Sequence, residues 1–424
     1  MKRFLAILTL AVAVAPAEAA AEFDAAGATN EAGLDLYRQL SAKRPDGNLV
    51  ISPYSIESAL ALVYVGAEAE TRTELAGVFR FPATDAAVQA GFAALRGALE
   101  QVAKNSQAAA ETRSRNGGRV DSIEWHAANR LFGQEGYAFR ESFLTLMKDG
   151  FVAPFQPMDF IHAAEASRGT INAWVEEQTR QKIRDLIPRD ALNRDTRLVL
   201  VNALYLKAPW ETPFGKTLTQ PRPFHVGGKP ATRDVPTMQA TAFLGHAAES
   251  GFTVTTVDYL GGDLQFLILL PDANQTVADI AQKIAGPDFA RWAGLGRQKR
   301  PSVSLFLPKF RVEGATVPLG ETLRALGVKR AFDEPRGSAN FDRMAPRRPD
   351  DYLALSNVFH QTFIALDEEG TEAAAATAAV MIRLTSAMPP PTPVEVRVDR
   401  PFLFAIQHRA SGACLFLGRI TEPK

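Results

Sequence analysis

Residues 367–380 read Asp-Glu-Glu-Gly-Thr-Glu-Ala-Ala-Ala-Ala-Thr-Ala-Ala-Val, near the C-terminus of a 424-residue chain. This stretch limits the possible folds more than any other. Counted at period two from Gly370, one face carries Thr371, Ala373, Ala375, Thr377 and Ala379, all small enough to enter a crowded sheet. The opposite face begins with Glu372, which requires water. Such alternation suits a segment that joins a β-sheet after the rest of the chain has folded. Helix propensity by itself favours another reading, an alanine-rich exposed helix capped by Thr371. The remainder of the chain decides between them.

The composition is globular, with 46% hydrophobic and 22% charged residues, and supplies a large core. No Gly/Ser/Pro linker divides the chain, so one large domain is expected over residues 20–424. The 47 basic and 47 acidic residues cancel, so no global charge recruits nucleic acid or an anionic membrane. Met1-Lys2-Arg3, the apolar run Phe4–Ala15 and Pro16-Ala17-Glu18-Ala19 follow the pattern of a secretory signal peptide, 1–19, cut after Ala19. The run is too short to span a bilayer comfortably. Secretion to an extracellular or periplasmic compartment is therefore expected, and the preference for Arg and Ala over Lys points to a bacterial source. The single cysteine, Cys414 in Ala413-Cys414-Leu415-Phe416-Leu417, cannot form an internal disulfide and reads as a buried structural thiol.

Apolar spacing predicts helices over 30–42 and 55–65, the second opened by Ser52-Pro53-Tyr54-Ser55, and an amphipathic helix over Ile171–Asp185. Residues 104–119 are polar and read as an exposed loop. Leu198–Leu206 reads as a strand buried on both faces. Further strands are expected at Phe252–Tyr259, Leu264–Leu270, Ser302–Leu307, Phe363–Leu366, Glu395–Val398, Phe402–Gln407 and Cys414–Ile420. Thr322–Leu326 forms a short helix closed by Gly327. Pro389-Pro390-Pro391-Thr392-Pro393 reads as an extended polyproline spacer.

A series of motifs runs through the chain in a fixed order. Asn48-Leu49-Val50-Ile51-Ser52-Pro53-Tyr54-Ser55-Ile56 comes first, then Ala128-Asn129-Arg130-Leu131-Phe132 and Ile171-Asn172-Ala173-Trp174-Val175-Glu176. Leu200-Val201-Asn202-Ala203-Leu204-Tyr205-Leu206-Lys207-Ala208-Pro209-Trp210 follows. Leu307-Pro308-Lys309-Phe310, Ala331-Phe332-Asp333 and Val398-Asp399-Arg400-Pro401-Phe402-Leu403-Phe404 complete it. Each is weak alone, and together they resemble the serpin family from about residue 28 to the C-terminus. Ala208-Pro209 departs from the family pattern, and residues 104–119 look like an insertion. The resemblance implies an α+β serpin fold, with mixed helices, three β-sheets and an exposed C-terminal reactive loop at about 368–393.

It also implies a function, that of an irreversible suicide-substrate inhibitor of serine proteases. Cleavage of the loop forms an acyl-enzyme, and the freed loop then inserts into the main sheet and traps the protease. The hinge is carried by Glu368, Gly370, Thr371, Ala373, Ala375 and Thr377. Ser52, Ser55, Asn202 and His360 match the shutter, where polar groups bridge strands that part. Trp210 and Lys309 match the point where the loop first enters, with Lys309 and Glu368 able to pair. On the residues alone, the shutter serines read first as helix caps and Trp210 as plain core. The implied reactive bond is Leu384–Thr385, with Arg383 as the alternative. Leu384 suits a chymotrypsin-, elastase- or subtilisin-like protease, and Arg383 a trypsin-like one. The protein is expected to act as a monomer without cofactor or metal. The six histidines (126, 162, 225, 246, 360 and 408) are scattered, and no His-Glu-x-x-His, Gly-x-Ser-x-Gly or phosphate-binding glycine loop occurs, so an enzyme is not expected. The alternative is a non-inhibitory serpin acting as a carrier or chaperone, against which the small hinge residues argue.

Overall fold

The computed structural model describes residues 22–115, 120–228, 230–297, 300–314, 316–372 and 392–424. The first helix, α1 (Ala25–Lys43), starts where the Asp24 carboxylate accepts the Gly27 N–H at 2.9 Å. Helix α2 (Pro53–Gly66) is capped by the Ser52 hydroxyl and opens on Pro53, whose missing N–H costs nothing there. Both enclose the expected windows. On α2, Glu57 is 1% exposed and faces Thr29 of α1 without a hydrogen bond of normal geometry to either of its oxygens. Helix α3 (Ala69–Phe79) follows.

Helix α4 (Asp85–Arg115) overturns the loop expected from residue 104 onward. Its polar stretch keeps a buried stripe at four-residue spacing, Val102, Ser106 and Ala110. Pairs one turn apart, Gln101–Asn105 and Gln107–Glu111, support it. Polarity alone had suggested a loop, but the alanine content is helical in propensity. Helix α5 (Phe160–Gln178) also differs from its expected position, beginning at the Asp159 cap and ending well before Asp185. The apolar spacing misled because Ile183, Leu186 and Ile187 bury as a turn-rich segment in the same cluster as Ile171 and Val175.

Three larger sheets and a two-stranded pair are present among the described residues. The sheet that carries the hinge contains β1 (Glu124–Gln134), β2 (Phe155–Met158), β3 (Leu198–Pro209), β4 (Phe310–Glu313), β5 (Phe363–Leu366) and β6 (Gly370–Thr371), in the spatial order β4-β5-β6-β3-β1-β2. Behind it lies a six-stranded sheet whose strands Leu264–Pro271, Phe402–His408 and Cys414–Ile420 are buried at every position. Side chains from both sheets, among them Trp210, Leu366, Phe266 and Phe404, form one core, while α1, α2 and α3 cover the far side of the rear sheet in a second. A four-stranded sheet at one end holds Val394–Arg397 parallel to Ser302–Pro308. The expected strands after residue 250 are all present with ends shifted by at most one residue.

Strand β3 runs past its expected end to Pro209 and is not uniformly buried. Leu198, Val199 and Leu200 are half-buried, whereas Val201 and Leu204 to Leu206 are buried. Cys414 is buried, donates to the Phe416 carbonyl at 3.2 Å, and burial pushes its thiol far above the usual range, as a structural thiol requires.

Candidate functional site

The hinge leaves β5 through a tight turn. Asp367 N–H donates to the Gly370 carbonyl at 2.9 Å, and the chain returns antiparallel beside β5. Gly370 and Thr371 then pair with Pro209 and Ala208 of β3. Two hinge residues therefore already lie in the sheet, flanked by β3 and β5. Gly370 has φ 149°, and a Cβ there would collide with the Ala208 carbonyl, so only glycine permits this approach. Thr371 is 2% exposed, and its hydroxyl sits 2.6 Å from the Tyr259 hydroxyl. At Glu372 the N–H still donates to the Ala365 carbonyl at 2.8 Å, but φ is 50° and the chain turns out of the strand.

The side chains around this point hold it tightly. Trp210, fully buried, stacks on Tyr259 with ring centroids 4.6 Å apart, and its indole N–H donates to the Asp367 carbonyl at 2.9 Å. The backbone N–H groups of Trp210 and Phe214 donate to Glu369 and Glu368 carbonyls. Glu368 pairs with Lys309 at 2.8 Å and accepts the Thr219 hydroxyl at 2.7 Å. Its side chain is only 9% exposed and that of Lys309 is 36% exposed, so the pair joins a buried carboxylate to a half-exposed ammonium. Burial pushes the Glu368 carboxyl up, and the bonds from Lys309 and Thr219 more than reverse this, leaving it below the usual glutamate range. Lys216 pairs with Glu369 at 2.8 Å in the same turn.

Ser52, Ser55 and His360, three of the four residues matched to the shutter, meet. The Ser52 N–H donates to His360 Nε2 at 3.0 Å, and the Ser52 hydroxyl donates to the Leu415 carbonyl at 2.6 Å and accepts from Ser55 N–H. His360 is buried and neutral, held down to about 4 by desolvation. Accepting at Nε2 places its proton on Nδ1. Thr362, two residues on from His360, donates to the Val50 carbonyl at 3.0 Å, in the short strand Leu49–Ile51 that precedes α2. Asn202 lies in β3 opposite Asn129 of β1. Ala373, Ala375, Thr377, Arg383, Leu384 and Thr385, with residues 1–21, lie outside the described residues.

Sequence reasoning missed several partners. Tyr259 and Thr219 are unremarkable in sequence, and only the fold sets them against Thr371 and Glu368. Lys182 pairs with Glu372 at 2.7 Å from the segment after α5. Glu211, next to Trp210, is bound by Arg113 of α4 and accepts the Gly261 N–H. None carries a sequence signal, because each is more than 40 residues from its partner. Among the described residues no cluster of His, Cys, Asp and Glu could hold a metal ion, and no helix is long and apolar enough to cross a membrane.

The model of the serpin (serine protease inhibitor) family matches residues 27–423. Plasminogen activator inhibitor 2 of Homo sapiens is 32% identical over 418 residues, covering 92% of this chain and 97% of that protein. Leukocyte elastase inhibitor A of Rattus norvegicus is 33% identical over 396 residues, with the same coverage of each, 92% and 97%. Among solved structures, thyroxine-binding globulin in complex with thyroxine superposes with a TM-score of 0.74 at 28% identity, covering 95% of this chain and 100% of that one. Uncleaved ovalbumin superposes with a TM-score of 0.77 at 25% identity, again covering 95% and 100%. The family model spans residues 27–423 and relatives more than 30% identical are covered over nearly their whole length, so the chain belongs to the serpins.

Proposed function

We propose that this protein inhibits a serine protease by acting as a one-turnover substrate. The observation that carries the reading is the position of Gly370 and Thr371, already paired between β3 and β5. Among the described residues, β3 below Ala208 pairs with β1 alone, and β5 below Ala365 with β4 alone. Continuing both registers residue by residue brings Thr377 level with Asn202 on one side and His360 on the other. The two registers are independent, yet they meet at one row in the shutter. The small side chains at 373, 375, 377 and 379 then fall on the buried face with Thr371.

The target's nucleophile attacks the carbonyl of Leu384 and forms an acyl-enzyme. Breaking the Leu384–Thr385 bond releases the segment downstream of Glu372 to extend the strand that Gly370 and Thr371 begin. A loop of about 14 residues spans ~46 Å when extended, enough to carry the tethered protease across the molecule. New main-chain hydrogen bonds, each worth about 1 kcal/mol net, and burial of the small face drive the change. Leu384 selects a chymotrypsin-, elastase- or subtilisin-like protease, with Arg383 as the alternative bond. We place the protein outside the cell membrane on the strength of its N-terminal signal pattern, read the preference for Arg and Ala over Lys as bacterial, and take the inhibitor to act as a monomer.

Incubation with a panel of serine proteases tests this. A complex that survives denaturant, with the protease joined to the upstream fragment, supports inhibition. Cleavage of the loop and release of active protease by every member of the panel would favour a carrier, the role that the thyroxine complex illustrates for thyroxine-binding globulin.

A further inference from the structure

We propose that Lys182 is a positioning residue that stops the hinge at its present depth by holding Glu372 in a turn. The proposal rests on reading residues 370–372 as the head of an inserting strand. Glu372 occupies the left-handed region at φ 50°, which a residue with a Cβ disfavours. The residues before it are extended and paired. Something must therefore keep Glu372 from simply continuing the strand. Its side chain is 14% exposed, and one carboxylate oxygen meets Lys182 Nζ at 2.7 Å. The other oxygen is buried without a hydrogen-bond partner among the described residues. Among the described residues Lys182 is thus the cation paired with this largely buried carboxylate.

Lys182 is itself fixed. The Thr179 hydroxyl accepts from Ile183 N–H and donates to the Val175 carbonyl, and Ile183, Leu186 and Ile187 bury in the cluster below. Its ammonium also lies 5.0 Å from the Phe363 ring centroid of β5. Tyr205 of β3 faces the same carboxylate, and burial together with the charge of Glu372 holds its hydroxyl well above the usual tyrosine range. One cation therefore bridges β5 and the hinge from a segment anchored outside the sheet. To join the sheet, Glu372 must become extended opposite Lys207, the next position in the β3 register, and give up the geometry in which Lys182 holds it. The pair opposes insertion of the intact loop until cleavage supplies the drive.

The test uses the full chain without protease, incubated a few degrees below its melting point. Conversion to an inserted form is followed as a rise in urea resistance on native gels. Lys182→Met and Glu372→Gln should each convert about 10-fold faster than wild type, equivalent to ~1.4 kcal/mol. Lys182→Arg should restore the slow rate, as should the swap Lys182→Glu with Glu372→Lys. A purely structural loss at 182 would not be rescued by the swap. Conversion of both single variants at the wild-type rate or slower, or no rescue by the swap, overturns the proposal. The readout needs no inhibited protease, so a wild type that traps nothing would refute inhibition while leaving this result to stand separately.

Discussion

Thr371→Arg separates trapping from recognition. Thr371 is 2% exposed, and its hydroxyl lies 2.6 Å from that of Tyr259, which is itself fully buried and stacked on Trp210. A guanidinium at 371 would stand on the face that every later inserted residue must follow. An uncompensated buried charge costs about 3 kcal/mol at the low end, which slows insertion by roughly two orders of magnitude. Hydrolysis of the acyl-enzyme is unaffected, because water attacks at the scissile bond far along the loop. The competition then shifts from trapping to turnover, and the ratio of cleaved inhibitor to covalent complex should rise by roughly two orders of magnitude over wild type. Thr371→Val is the control. It keeps the volume and loses the Tyr259 contact, but that contact is already made before cleavage, so the cost of about 1–3 kcal/mol falls on overall stability and the stoichiometry should stay near wild type. The assay titrates a fixed amount of protease and resolves covalent complex from cleaved inhibitor on a denaturing gel. A Thr371→Arg variant that traps protease at the wild-type ratio would refute hinge insertion as the mechanism.

Two buried groups should give opposite pH dependence. His360 is neutral in the fold and titrates at about 4 rather than 6.5, so the unfolded chain takes up a proton that the fold refuses. Stability should fall by about 3 kcal/mol from pH 6.5 to 4, and urea midpoints for His360→Asn should depend less steeply on pH in that window; an unchanged slope counts against it. Glu57 is the reverse, since burial holds its carboxyl well above the usual range. Its favourable contribution is lost as pH rises from the unfolded value through the folded one, so the gain in stability from Glu57→Gln should be larger at pH 8 than at pH 5. An equal gain at both would mean that Glu57 does not titrate. A single cut in the loop should raise the melting temperature, because the cut loop completes the sheet; an unchanged or lower midpoint favours the carrier reading. Mass spectrometry of the released C-terminal peptide should find Thr385 first, whereas a peptide starting at Leu384 moves the bond to Arg383 and one starting beyond Ser386 overturns the assigned register.

The strands of the rear sheet were legible because each is a short apolar run bounded by turn residues, as in Leu264–Pro271, which Pro271-Asp272 closes. The helices were less so. The stretch 104–115 looked like loop because its residues are polar, yet it is helix, since Ser106 and Ala110 need only small size to pack and alanine supplies the propensity. Ile183 to Ile187 carried helical spacing into a segment that is not helix, because burial under the sheet uses the same residues whatever the backbone does.

The sequence by itself determined that small side chains alternate at period two after Gly370, that Glu368 has a cation to pair with in Lys309, and which family the order of motifs resembles. Those properties reside in side-chain size, period and local order. Only the tertiary structure decided how far the hinge has entered, because that depends on Ala208 crowding Gly370, Tyr259 meeting Thr371 and Lys182 meeting Glu372. These partners come from segments separated by 100 residues or more. No local pattern can encode such meetings, since they exist only once the strands on either side of the hinge have been assembled.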